Sequence, residues 1–111
     1  MVKIEYAENV RLTKRDLQII IDTFHKYFLP EDHLWLFGSR AKMKRRGGDI
    51  DLYIETHESD SNNASKKKWD FSWELQEKLG EQKIDVVLNM IFSNYSLPIY
   101  KIAVEKGVKL V

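Results

Sequence analysis

Apolar residues at Leu17, Ile20, Ile21, Phe24 and Phe28 recur at helical spacing and mark one face of a helix. Thr13 with Asp16 three residues on is a capping signal for its start, and Pro30 ends it at or before Leu29. Residues 1–12 read as a lead-in. Leu34-Trp35-Leu36-Phe37 is short and wholly apolar or aromatic, the pattern of a central strand. Ser39 to Arg46 suits a short helix with Ser39 as its N-cap, stopped by Gly47-Gly48. From Asp49 to Glu55 polar and apolar residues alternate, as in a strand with one buried face. Asp49 and Asp51 then share one side, and Ile50, Leu52 and Ile54 the other.

Residues 56–65 are polar and read as a mobile surface loop. Between Lys66 and Leu79, Trp69 and Trp73 stand four apart, as do Phe71, Leu75 and Leu79. The same stretch also alternates like a strand. Its Glu and Gln content and the following Gly80 favour a helix, with core packing the expected fate of both tryptophans. Lys83 to Leu88 is a β-branched strand pattern broken by Asp85. Asn89 to Ser96 reads as a loop. Pro98 opens a last helix with Ile99, Ile102 and Ala103 facing inward, Gly107 closes it, and Val108 to Val111 could add an edge strand. The order helix, strand, short helix, strand, helix, strand, helix predicts an α/β (α+β) fold: a small mixed sheet with helices packed on it.

Length and charge narrow the field. The chain of 111 residues is expected to form a single domain, 1–111. It has no cysteine, which excludes disulfides and thiolate metal sites. Neither a signal-peptide core nor a long apolar run is visible, so no membrane span is expected and the cytoplasm is the expected location. With 18 basic and 17 acidic residues the net charge is +1, which argues against a stable nucleic-acid complex. His25, His33 and His57 show no ligand spacing and are expected to have no role in chemistry.

The candidate chemistry lies between Leu34 and Glu55. Two carboxylates on one strand face repel unless a cation sits between them, and a hard divalent ion such as Mg²⁺ suits oxygen ligands. Gly38 and Ser39, just past a strand end, offer backbone N–H groups and a hydroxyl where a phosphate can be held. Arg40 is the nearest member of a basic run with Lys42, Lys44, Arg45 and Arg46. Asp85 between two β-branched or branched apolar neighbours either lies on a solvated face or has a partner such as a metal. Paired carboxylates beside a phosphate cradle suggest metal-assisted phosphoryl or nucleotidyl transfer.

Gly38-Ser39, Asp49-x-Asp51 and the later Asp85 together resemble the minimal nucleotidyltransferases of the polymerase-beta-like superfamily, over essentially the whole chain. Lys42 and Met43 stand where the family often has Arg-Gly, and Gly48 where it usually has Ser. The resemblance implies a polymerase-beta-like nucleotidyltransferase core that uses Mg²⁺ and ATP. It implies catalytic and metal-binding roles for Asp49, Asp51 and Asp85, with Asp85 also a candidate general base, and nucleotide binding by Gly38, Ser39 and Arg40. Small single-domain members resemble antitoxins that pair with a helical HEPN ribonuclease toxin and silence it by moving AMP from ATP onto a tyrosine. A hetero-oligomer with such a toxin is therefore the implied assembly. Two alternatives are a catalytically silent antitoxin that inhibits by contact, and a transferase acting on RNA or a small molecule.

Overall fold

The computed structural model describes residues 12–38, 49–80, 82–93 and 96–111. Helix α1 spans Lys14–Tyr27 and starts as expected: the Thr13 hydroxyl accepts the Asp16 N–H at 3.0 Å. The Phe28 N–H donates to the Phe24 carbonyl at its other end. Strand β1 is His33–Phe37, β2 is Ile50–Thr56 and β3 is Ile84–Met90. Helix α2 is Ser61–Leu79, α3 is Pro98–Lys106 and β4 is Val108–Lys109. The short helix expected over 39–46 and the lead-in over 1–11 lie outside the described residues.

The strands form one mixed sheet in the order β3-β2-β1-β4. β1 pairs antiparallel with both β2 and β4, and β2 pairs parallel with β3. The parallel pair is joined through α2, the crossover such a pair requires. Alternation along β1 and β2 gives the sheet two apolar faces. Leu34, Leu36, Ile50, Leu52 and Ile54 are buried against Leu17, Ile20, Ile21 and Phe24 of α1 and Phe71, Leu75 and Leu79 of α2. On the other face Trp35 and Tyr53 pack with Ala103 of α3, and Phe37, Val87 and Tyr100 join them. This second face is the one toward which the residue-51, 53 and 55 side of β2 turns. Among the described residues no helix is long and apolar enough to cross a membrane.

Two tethers fix the ends of the core. The Asp32 carboxylate is fully buried and accepts the Leu29 N–H, the Thr56 hydroxyl, the His57 N–H and a contact from His57 Nδ1 at 2.7–3.0 Å. Burial alone would push its pKa up, but these hydrogen bonds outweigh it and hold Asp32 below the usual carboxylate range. His57, with no role in chemistry expected of it, pins the end of β2 to the turn before β1. Glu74 of α2 accepts from the Tyr27 hydroxyl at 2.6 Å and pairs with Lys26 and Lys78, each at 2.7 Å, which holds its pKa down to about 2.

Four expectations need correction. The loop expected over 56–65 is shorter. Thr56 belongs to β2, and α2 begins at Ser61 because the Asp60 carboxylate accepts the N–H groups of Asn62 and Asn63. Asn89 and Met90 continue β3, their backbones paired with Glu55 and Thr56. Trp69 and Trp73 do not enter the core and are 69% and 61% exposed. At 100° per residue they lie roughly opposite Phe71 and Leu75, which take the inner face. Ile102 is 46% exposed, since Ala103 and Tyr100 make the contact of α3 with the sheet. Replacing Trp69 and Trp73 each by Ser should leave stability in urea within about 0.5 kcal/mol, as expected for surface positions. A loss of several times that would return them to the core.

Candidate functional site

The three aspartates expected to act together meet at one end of the sheet. In the strand register Phe37 lies opposite Asp51, and Asp51 lies opposite Asp85. Phe37 ends β1 and is followed at once by Gly38. Asp51 is the second residue of β2 and Asp85 the second of β3. A turn-forming glycine and two carboxylates from distant parts of the chain are thereby set side by side. Asp49 lies just before β2, and its neighbour Ile50 donates its N–H to the Lys83 carbonyl at 2.8 Å.

Gly38 has φ +76°, a conformation other residues rarely adopt. It also backs directly onto Asp51: a Cβ at this position would overlap the Asp51 Oδ2 and lie 3.1 Å from its Cγ. Both the backbone angle and the contact require glycine. The glycine half of the Gly38-Ser39 pair is therefore next to the Asp49-x-Asp51 pair in space. Ser39 and Arg40, with Lys42, Lys44, Arg45 and Arg46, lie outside the described residues.

Burial raises the pKa of Asp51, and repulsion from Asp85 and Asp49 raises it further, while Lys83 opposes the shift. Asp51 is therefore close enough to Asp49 and Asp85 to feel both charges. Asp85 is 52% exposed on β3, an edge strand, so it is not a core residue at all. Lys83 is the functional candidate that sequence reasoning passed over. Its Nζ stands 3.6 Å from Asp49 Oδ2 and 4.0 Å from Asp85 Oδ2. The signal was local, since Lys83 sits two residues before Asp85 and so on its side of the strand.

The donor set fits a hard divalent cation in kind, being all oxygen and net negative. Among the described residues no group of three or more His, Cys, Asp or Glu is gathered tightly enough to hold a metal by itself. A cation here would need further oxygens from water or from a bound phosphate.

Further along the strands, the same sheet face carries a cavity of about 370 Å³ between β2, β3 and α3. Tyr53 at its floor donates its hydroxyl to Glu55 and accepts from the Asn89 amide, both at 2.9 Å. Burial first, and then Glu55, push the Tyr53 phenol well up against the opposing pull of the Asn89 amide, so it is a fixed hydrogen-bonding group and not an acid at neutral pH.

The family model described as a nucleotidyltransferase domain matches residues 17–110 of the chain. Two solved structures share the fold. One is a chain of the complex between a tri-AMPylated Shewanella oneidensis HEPN toxin and an MNT antitoxin. It is 20% identical with a TM-score of 0.61, covering 90% of this chain and 72% of its own. The other belongs to a mutant of the toxin–antitoxin pair MntA-HpeT, also 20% identical, with a TM-score of 0.62 and coverage of 86% and 71%. No curated protein matches the chain.

Proposed function

Since the chain belongs to the nucleotidyltransferase domain family, we propose that it is a Mg²⁺-dependent transferase that moves AMP from ATP to a tyrosine hydroxyl of a HEPN-type toxin and so acts as its antitoxin. The observation that carries the reading is the register that sets Gly38, Asp51 and Asp85 beside one another across three adjacent strands. The choice of donor, acceptor and partner is supported by the resemblance to antitoxins of this fold, whose solved relatives come from toxin complexes.

In this reading Asp49, Asp51 and Asp85 would supply the carboxylate oxygens that hold Mg²⁺. When bound, the metal would supply Lewis-acid stabilisation of charge on the transferring phosphate. Gly38 leaves the Asp51 carboxylate room to face that phosphate, and Ser39 and Arg40 bind the remaining phosphate oxygens. Asp85 accepts the proton of the incoming tyrosine, whose pKa near 10 keeps it neutral otherwise. The tyrosine oxygen forms a bond to the α-phosphorus, the bond from that phosphorus to the bridging oxygen breaks, and pyrophosphate leaves. The open edge position of Asp85 suits an acceptor that arrives on another protein. In this reading the reaction takes place in the cytoplasm, where ATP is supplied.

The test is label transfer. The protein is incubated with Mg²⁺, ATP labelled at the α-phosphate, and a small helical HEPN-type toxin from the same source. Label on a tyrosine of that protein is the expected result. Label on added RNA or a small alcohol instead would keep the reaction class and replace the acceptor. Absence of label with full inhibition of the toxin would favour inhibition by contact alone.

A further inference from the structure

The proposed reaction asks the site to bind a metal with its nucleotide, yet three carboxylates at one sheet end would also attract any passing divalent ion. Lys83 bears on this. Its backbone is fixed beside β2 by the Ile50 N–H, and its ammonium lies between Asp49 and Asp85 at 3.6 and 4.0 Å. Both separations exceed an ordinary hydrogen bond of about 2.7–3.2 Å, so the attraction is one of charge and not of locked geometry. The side chain is 69% exposed, free to swing away on a flexible stem.

We propose that Lys83 is a built-in counter-cation of the carboxylate site, which disfavours a bare divalent ion and yields to one that arrives on a triphosphate. This rests on the metal-and-nucleotide reading above. A bare metal must displace the ammonium from two carboxylates and leave it without an anionic partner. A metal carried by ATP brings phosphate oxygens that the released ammonium can meet. Lys83 is thus a positioning residue that couples metal entry to nucleotide entry.

The measurement is cation affinity in the absence of catalysis. Mn²⁺ binding is followed by electron paramagnetic resonance up to millimolar concentration, without nucleotide, for the wild type and for Lys83→Met, Lys83→Gln and Lys83→Arg. The neutral variants should bind bare Mn²⁺ about three- to ten-fold more tightly, the scale of two solvent-screened ion pairs. The Arg variant should stay near the wild type. In calorimetry the neutral variants should bind MgATP about ten-fold more weakly, through loss of a charged phosphate contact. Neutral variants that bind bare Mn²⁺ no more tightly than the wild type, including no detectable binding by either, would overturn the role of Lys83. The underlying reading fails separately, if Asp51→Asn leaves MgATP affinity unchanged.

Discussion

Asp51→Asn should lower AMP transfer about 1,000-fold or more, the order of loss on removing a group that acts directly on transition-state charge. The same change should raise the melting temperature of the free protein. Asp51 is the carboxylate set between its partners in the register, opposite Phe37 on one side and Asp85 on the other. Its pKa is raised by burial and by the two neighbouring aspartates. A carboxyl whose folded-state pKa lies above its unfolded value favours the fold below the unfolded value. That contribution is lost as pH rises through the folded one. At neutral pH the ionised Asp51 therefore opposes folding, and the neutral amide removes the opposition. Thermal unfolding at pH 7 and pH 4 would show it: the gain from the variant should be present at pH 7 and shrink at pH 4. A variant less stable than the wild type at pH 7, or one that still transfers AMP at a tenth of the normal rate, would contradict this account.

Gly38→Ala should be damaging out of proportion to one methyl group. The backbone at φ +76° costs a residue with a side chain about 1–2 kcal/mol. The new Cβ also has no room, because the Asp51 carboxylate occupies its place. Either Asp51 turns away or β1 and β2 shift at their shared end. A misplacement on the order of 1 Å at a reacting centre costs about 100-fold in rate. The expected result is a stability loss of about 1–2 kcal/mol in urea with transfer down about 100-fold. Loss of stability without loss of activity would mean that Asp51 is not held by this contact.

What could be read in the chain was local. Alternation around Ile50, Leu52 and Ile54 set the side on which Asp51 stands, and the cap at Thr13 and the stop at Pro30 framed α1. What escaped was set by longer-range packing. Trp69 and Trp73 share the four-residue spacing of Phe71, Leu75 and Leu79, and periodicity alone does not say which stripe meets the sheet. His57 gains its role only when β1 and β2 pair and bring Asp32 beside Thr56. The contact of Lys83 with Asp49 likewise exists only through the parallel pairing of β2 and β3. Asn62 and Asn63 are weak helix formers, which hid the first turn of α2, although Asp60 was there to cap it.

The most direct test of the central claim is the intact mass of a HEPN-type toxin from the same source after incubation with this protein, ATP and Mg²⁺. The account predicts a gain of one or more AMP units, localised to tyrosine. It predicts no gain when Asp49, Asp51 or Asp85 is replaced by Asn, although each variant still binds the toxin. A toxin that is inhibited while its mass stays unchanged would contradict it.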